Sequence, residues 1–513
     1  MSIPYVLSYD LGTSGVKATL VDTNGNIIGD AIENYPLYMP QASWAEQDPE
    51  DYWKAVCATT KCVLAKTGVD ANDAKGMAFC SQWKGIIPID KDYNVLHRSI
   101  LWLDARADKQ AKRVNKLLKI NYYMGKYFGT KPSSKLNAAL GKEVLCGADY
   151  WPKLMWFREE LPEIYEKTAY ILEANSFVKW RATGVMASDM TNHFTKSFNP
   201  PSQQFYSFFL KYAKIDPNLF PDIVMPTDLV GYVTKEAAVQ MGLIPGIPVF
   251  GGCGDIPAIA VGSGCSSMGD THAYFGSSGW LASMVPCKEG FKMTSPFSKE
   301  NDLLCFGLQA IGLSFDWTVK QLYHTELKEF KDDIYKFINK ELADVPPGSL
   351  ELLASHWIFG ERPPFFSDKA RGVFVNLNSQ HDRRHMLNAM MESVCYSMRM
   401  GLDAMQDGRK CRVNSIQVSG GGACNDHWMQ MLADILEIPV LVPKNPRQAG
   451  AIGTAYCALI GLGLCRDLDE AKSHISIEKK FLPREDTKKV YDKTYKAYTR
   501  LYPELKNLFI SLN

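Results

Sequence analysis

Three short stretches of the chain concentrate residue types that could do chemistry. In "YDLGTSGVKATLV" a carboxylate, Asp10, ends an apolar run; Gly12, Thr13, Ser14 and Gly15 follow, and then Lys17. Turns built from Gly, Ser and Thr expose backbone N–H groups and hydroxyls without bulk, which makes a concave anion site. Lys17 adds a point charge, and Asp10 could hold Mg²⁺, the usual partner of nucleotide phosphates. A second stretch, "AYFGSSGWLASMV", repeats the pattern about 264 positions further on, with Gly276, Ser277 and Gly279 in the places of Gly12, Thr13 and Gly15. The echo keeps the turn and not the acid, since Tyr274 stands where Asp10 would. One such turn reads more simply as an ordinary hairpin; the repeat reverses that preference. In the third stretch, "GGCGDIPA", Asp255 stands alone among glycines and apolar residues. It could accept a proton from a substrate hydroxyl, or cap the helix that follows. Gly252 and Gly254 are followed by Pro257 where a dinucleotide loop needs its third glycine, and GxxxxGK[ST] is absent, so neither common nucleotide fingerprint applies.

The elements that position these residues read as α/β. "YVLSYDLG", "VKATLVD" and "IIGDAIE" are strands, the last two joined by the turn "TNGN", as Asn-Gly between apolar runs predicts. The stretch 49–67 is a helix with Asp48 as N-cap, Pro49 at its first position and Gly68 as its stop. "AKGMAFCSQ" is a strand that ends in the polar loop "SQWKG"; "IIPIDKDYNVLHRSILWLDAR" is a further hairpin with a loop carrying Asp104 and Arg106; a mostly helical region then runs to about residue 230. Gly/Pro-rich texture near residue 244 marks a boundary, giving domains 1–245 and 246–513, two related α/β halves with a cleft between them. In the second half, "SIQVSGGGACNDHWMQMLADILEIPVLVP" is a strand, Gly-rich turn, helix and strand, and "QAGAIGTAYCALIGLG" is a small-residue helix. The methionines of "MLNAMMESVCYSMRMGLDAM" recur at helical spacing and read as core filler.

Composition narrows the class. At 513 residues the chain exceeds one core. A net charge of +1 gives no electrostatic case for nucleic acid or an acidic membrane. No run of eighteen apolar residues occurs and the start has no secretory pattern. Thirteen cysteines, an odd number without a CxxC pair, point to reduced thiols and a cytoplasmic protein. His381 and His385 are one helical turn apart, too little alone for a metal site. Trp44 reads as loop packing, and Glu361 with Arg362 as a structural ion pair.

The stretches "DLGTSGVK", "AEQDPEDYW", "ILWLDAR", "KLMWFREELPE", "GGCGD", "FGSSG", "GERPPFFSDKARGVFVNL" and "SGGGACNDHWMQMLADI", in this order and over nearly the whole chain, resemble the FGGY carbohydrate kinases, and most of all the xylulokinase-like members. One departure is Asn376, where the family usually has glycine. The resemblance implies two ribonuclease-H-like domains of the actin and hexokinase type, flanking a catalytic cleft, and ATP-dependent phosphorylation of a sugar hydroxyl. Carried over by motif, Asp10 would help place Mg²⁺ and Gly12, Thr13, Ser14 and Lys17 would contact phosphates. Gly276 and Ser277 would face the γ-phosphate, Gly312 would lie beside the nucleotide, and Gly421, Gly422 and Asn425 would line the adenine pocket. Asp255 matches the general base, and Gln82, Trp83, Lys84, Asp104 and Arg106 fall where relatives contact or support the sugar.

The substrate is less sharply marked. Xylulokinases usually carry Gln-Met-His-Gly where this chain has "QWKG", and Asn where it has Ile256. Trp83 could stack on a sugar face. Lys84 could pair with the carboxylate of an aldonic acid such as gluconate, or with a neighbouring acid such as Asp104. A pentulose such as xylulose is the leading expectation; a gluconate-like acid, another ketose or a polyol are alternatives. An actin- or chaperone-like ATPase that phosphorylates no sugar is the competing class. Partners are the sugar and ATP, with neither nucleic acid nor membrane; a homodimer stays open.

Overall fold

A computed structural model describes residues 3–41, 43–116, 145–192, 198–199, 204–205, 212–286, 297, 301–362, 365, 367, 369–406 and 412–512. Their contacts divide into two compact units. Unit 1 comprises 1–262, 285–303 and 450–474; unit 2 comprises 263–284, 304–449 and 475–513. Unit 1 thus runs past residue 245 and takes back a distant segment near the C-terminus.

In unit 1, strands β1 (Tyr5–Leu11), β2 (Gly15–Asp22) and β3 (Ile27–Asn34) form the antiparallel meander that the sequence predicts. Asp22 accepts from the Asn24 and Asn26 N–H groups and so closes the β2–β3 turn. Helix α1 (Pro49–Thr67) starts at Asp48, whose side chain accepts from the Glu50 N–H, and stops at Gly68 in the left-handed region at φ 68°. Strand β4 (Ala74–Ser81) lies parallel to β1. Further along come helices α2 (Tyr150–Glu160) and α3 (Ala174–Thr183) and strands β5 (Leu229–Tyr232), β6 (Pro248–Phe250) and β7 (Cys253–Gly254). The sheet runs β5-β6-β4-β1-β2-β3, with β7 also on β4. Helix α4 (Asp255–Gly262) leaves β7 directly. The core under this sheet joins Leu7, Tyr9 and Phe79 to Val56 of α1 and Phe177 of α3. A second cluster gathers Trp151, Phe157 and Ile100.

Two readings of unit 1 change. Ile87–Asp90 pairs with Thr168–Leu172, and Ser99–Ile100 pairs with Glu46–Gln47, so the expected hairpin survives only as bridges such as Ile89↔Val95. Ile87–Asp90 finds its longer ladder with Thr168–Leu172, while the bridges Ile86↔Ile100 and Ile89↔Val95 keep the two runs antiparallel neighbours. The region to residue 230 is mixed, with strands at Thr168–Leu172 and Ala187–Asp189 beside its helices. The parts at 117–144, 193–197, 200–203 and 206–211 lie outside the described residues.

Unit 2 holds β8 (Thr271–Phe275) and most of β9 (Gly279–Pro286) and β10 (Asn301–Leu308), then helices α5 (Gly312–Leu322) and α6 (Arg383–Gln406). Strand β11 (Ile416–Ser419), helix α7 (Asp426–Leu436), β12 (Val440–Pro443), β13 (Ile477–Phe481) and α9 (Glu485–Leu512) follow; the small-residue helix α8 (Ala449–Gly461) belongs to unit 1. The sheet order is β10-β9-β8-β11-β12-β13. Met391, Met398 and Met405 of α6 are buried in one cluster with Trp428 and Leu432, as core filler should be. Asn376 has φ 70°. That left-handed position suits glycine, and Asn is among the few other side chains that adopt it readily; here its Nδ2 also donates to the Glu351 carbonyl at 3.1 Å.

Candidate active site

Asp10 reaches the end of β1 opposite Lys17 on β2 and beside Cys80 on β4. The Cys80 Sγ donates to its Oδ1 at 3.3 Å. Register then fixes the second carboxylate. Cys253 pairs with Cys80 and Gly254 with Ser81, so the residue that follows, Asp255, emerges at the same sheet end as Asp10. Burial, and after it the negative charge of Asp10, pushes the Asp255 carboxyl up to about 7. Burial likewise raises Asp10, against the hydrogen bond from Cys80 and the charge of Lys17. Asp255 Oδ1 accepts from the Ile256 N–H at 2.9 Å, a link to its own helix that leaves its second oxygen for chemistry.

The segment that carries Asp255 is anchored through its backbone. Thr191 Oγ1 accepts from the Gly254 N–H at 2.7 Å and donates to the buried Asp189 at 2.6 Å. Lys179 Nζ donates to the Gly251 carbonyl at 2.5 Å. Helix α8 comes close because its glycines lack Cβ: a methyl group on Gly450 would stand 3.1 Å from Asp10 Oδ2, and one on Gly453 would strike the Ala258 backbone. Ser8 Oγ donates to the Ala451 carbonyl at 2.6 Å.

The first Gly/Thr/Ser turn is braced from four sides. The Gly12 N–H donates to the Gly15 carbonyl at 2.9 Å, and Tyr35 OH donates to the Gly12 carbonyl at 2.5 Å. Gln47 Nε2 donates to the Thr13 carbonyl at 2.7 Å. Thr13 Oγ1 donates to Gln82 Oε1 and accepts from Trp102 Nε1 at 3.0 Å. Thr13 and Gln82 therefore hold each other, while Ser14 is the exposed hydroxyl of the turn.

The remaining sugar candidates sort by what they touch. The Trp83 indole lies against Gly254, one residue before Asp255. Lys84 Nζ pairs with a neighbouring acid, one of its two expected partners; that acid is Asp149, at 2.8 Å, and not the example Asp104. Asp104 is already committed: its carboxylate takes Arg106 in a bidentate pair and the Ala45 N–H at 2.6 Å. Arg106 also bonds Glu46 at 2.7 Å and sits 3.7 Å from the Trp44 ring centre. Trp44 packs edge-on to Trp156 as well. Asp104 and Arg106 thus form a buried brace behind the loop.

In unit 2 the echo is a hairpin as expected, but it closes one residue tighter. Phe275 pairs with Gly279, whereas Leu11 pairs with Val16. The structure joins Gly276, Ser277 and Gly312: the Gly312 N–H donates to the Gly276 carbonyl at 2.9 Å, and the Ile311 N–H to the Ser277 carbonyl at 3.0 Å. β8 and β11 are parallel neighbours, so this turn and the Gly421–Asn425 turn lie at the carboxyl ends of adjacent strands, where α/β sheets bind ligands. Gly421 opens onto free space, and Asn425 caps α7 by accepting the Trp428 N–H and donates to Asn339. Glu361 Oε2 lies 2.7 Å from His356 Nε2 and Oε1 accepts the Arg362 and Gln309 N–H groups, while Arg362 Nε donates to Gln309 at 2.6 Å; the expected side-chain ion pair between Glu361 and Arg362 is not among these contacts.

Sequence reasoning missed Gln47, Lys153, Lys179, Asp189, Thr191 and Gly450. Only Gly450 had a visible signal, the glycine spacing of "QAGAIGTA"; Gln47, Lys153, Lys179 and Thr191 act on backbone groups far away in the chain, and Asp189 acts through Thr191. Among the described residues no group of three or more His, Cys, Asp and Glu side chains forms a metal cage, and no helix is long and apolar enough to cross a membrane.

Residues 5–262 match the N-terminal domain of the FGGY family of carbohydrate kinases, and residues 287–462 its C-terminal domain. The chain is 29% identical to the xylulose kinase of Bacillus subtilis strain 168, over 99% of this chain and 98% of that protein. It is 25% identical to the gluconokinase of the same strain, over 99% and 97%. The ligand-bound xylulose kinase from Lactobacillus acidophilus has the same fold, with a TM-score of 0.84 at 21% identity and full coverage of both chains. The gluconate kinase from Lactobacillus acidophilus has it too, with a TM-score of 0.84 at 22% identity and full coverage.

Proposed function

The chain belongs to the FGGY family of carbohydrate kinases, two-domain α/β enzymes of the actin and hexokinase type that phosphorylate sugars with ATP, and from that premise we propose its substrate, its metal and the work of each residue. The acceptor is a neutral pentulose, xylulose before others. The observation that carries this choice over an aldonic acid is the Lys84–Asp149 pair at 2.8 Å. An ammonium already matched by a carboxylate offers little to a second one, and a substrate carboxylate would meet Asp149 as a like charge. The B. subtilis xylulose kinase points the same way.

Asp255 is the general base. Phosphoryl transfer needs an aligned hydroxyl and charge neutralisation more than covalent catalysis. A carboxyl raised to about 7 holds and releases a proton near neutral pH, where a base is most effective. The hydroxyl proton passes to Asp255 as the sugar oxygen attacks the γ-phosphorus and the bond to ADP breaks. Trp83 offers its ring to the apolar face of the sugar, and Gln82, Asp104 and Arg106 keep the loops in place.

Asp10 suits Mg²⁺: it is a hard oxygen donor at a sheet end beside a phosphate-type turn, and such a site typically adds waters and substrate oxygens to one or two carboxylates. When bound, the ion would neutralise charge on the transferring phosphoryl group. Gly12, Ser14 and Lys17, and in unit 2 Gly276, Ser277 and Gly312, serve phosphates; Gly421, Gly422 and Asn425 serve adenine. We place the enzyme in the cytoplasm on its thirteen cysteines.

A coupled ADP-release assay over ketoses, polyols and aldonates tests the reading. ADP release is expected to depend on sugar and to be fastest with xylulose. Faster turnover of gluconate would overturn the substrate. Equal ATP turnover with and without every sugar would favour the actin- or chaperone-like ATPase.

A further inference from the structure

We propose that Lys153 is a positioning residue for the sugar: its buried Nζ ties the Gln82–Gly85 loop to the Leu101–Arg106 loop, and through them it sets sugar affinity and not the rate of transfer. This rests on the reading that these loops face the sugar.

Lys153 lies on α2 and is wholly buried. Its Nζ donates to the Lys84 carbonyl at 2.6 Å and to the Leu101 carbonyl at 2.7 Å. The first acceptor belongs to a residue held at φ 60°, a left-handed conformation that a non-glycine residue keeps only under outside constraint. The second also accepts the Asp104 N–H at 3.2 Å, so the same ammonium caps the turn that leads into the Asp104–Arg106 brace. Lys153 therefore bridges the two loops that hold every sugar candidate except Asp255, beside the Thr13 bonds to Gln82 and Trp102 and the Ile86–Ile100 backbone pair.

The base is anchored by other residues. Thr191 and Lys179 hold the backbone of Gly251–Gly254, and neither bonds the two loops. Loosening Lys153 should therefore move the Trp83 wall and leave Asp255 in place. That independence predicts a change in affinity with chemistry retained, whereas a merely structural lysine would alter stability and all kinetic constants together.

Charge strengthens both bonds, because charge-assisted hydrogen bonds are stronger than neutral ones. Burial, and then Lys84, lowers the Lys153 ammonium to about 7, while Asp104, Asp149 and Glu173 oppose that fall. These four are the titratable groups that face it: Lys84 and Asp104 on the two loops, Asp149 at the start of α2, and Glu173 just before α3, whose carboxyl burial raises well above the ordinary range. Glu173 is buried, and neither carboxylate oxygen has a hydrogen-bond partner among the described residues.

The test is steady-state kinetics of Lys153→Met with xylulose and ATP. The sugar KM is expected to rise about tenfold or more while kcat and the ATP KM stay within about threefold. An unchanged sugar KM, or an equal loss in every constant, overturns the proposal. Should Lys153→Met fail to fold, xylulose binding to the Asp255→Asn enzyme is measured by calorimetry from pH 6 to pH 9; that background removes the titration of the base. Binding is expected to weaken severalfold as the ammonium loses its proton, and a flat profile overturns the proposal. If the wild-type enzyme shows no sugar-dependent ADP release at all, the failure lies in the kinase reading instead.

Discussion

Gly254→Ala is a sharp probe of the Trp83 wall. A Cβ on Gly254 would fall on the indole, on top of Nε1 and only 2.7 and 2.9 Å from Cδ1 and Cε2. Ordinary contact begins near 3.4 Å, so one of the two must retreat by more than about 1 Å, a displacement that at a reacting centre can reduce rate about 10²-fold. Which one retreats follows from how each is held. The Gly254 backbone is paired to β4 and bonded by Thr191. Trp83 is a half-buried side chain on a loop. The ring should yield and the base should stay. Loss of a stacking contact worth about 1 kcal/mol or slightly more corresponds to about a tenfold rise in sugar KM, with kcat and ATP KM nearly unchanged. The coupled ADP-release assay reads all three. Trp83→Ala should raise sugar KM by a similar factor, and the double variant should be no worse than Trp83→Ala alone, since both changes remove one contact. Additive losses, or a collapse of kcat at constant KM, would refute the assignment of Trp83 to the sugar and of rigidity to the base.

Other consequences can be checked separately. Thr191→Val leaves the Gly254 N–H without an acceptor, which typically costs about 1–3 kcal/mol; kcat should fall and Thr191→Ser should restore it, and a Thr191→Val enzyme with normal kcat would remove the anchor. Lys84→Met strips Asp149 of the charge that, against burial, keeps its carboxyl below the ordinary value. Tm should drop by the equivalent of about 1–3 kcal/mol for this half-buried pair, with part recovered in Lys84→Met/Asp149→Asn; no recovery would mean the pair is not coupled. Glu392 in unit 2 is raised by burial from 4.5 to about 8. Between those values the folded chain keeps a proton that the unfolded chain has released, so stability falls as pH rises, by at most about 1.4 kcal/mol per unit. Glu392→Gln should therefore gain Tm over wild type from pH 5 to pH 8, and a constant difference across that range would contradict the shift.

Local signals carried much of this architecture. The Asp48 cap, Pro49 and Gly68 delimited α1 from sequence alone, because each acts within a few residues of itself. Both Gly-rich hairpins were legible for the same reason, although their one-residue difference in register was not: closure depends on the backbone bonds made inside each turn. Pairings across long separations were hidden. Lys84 finds Asp149 because Asp104 is already taken by Arg106 and the Ala45 N–H, and no spacing rule announces such prior claims. The return of 450–474 to unit 1 is likewise a packing event between small residues. Lys153, Lys179 and Thr191 escaped notice because their partners are backbone groups, which leave no trace in residue type.

The central claim is that Asp255 removes the proton from a sugar hydroxyl while ATP is cleaved. Asp255→Asn keeps the shape of the side chain and removes the base. In the ADP-release assay with xylulose, this variant should lose about 10²–10⁴-fold in kcat while ATP binding, followed by calorimetry, stays near that of the wild type. Near-normal sugar-dependent turnover in Asp255→Asn would contradict the account.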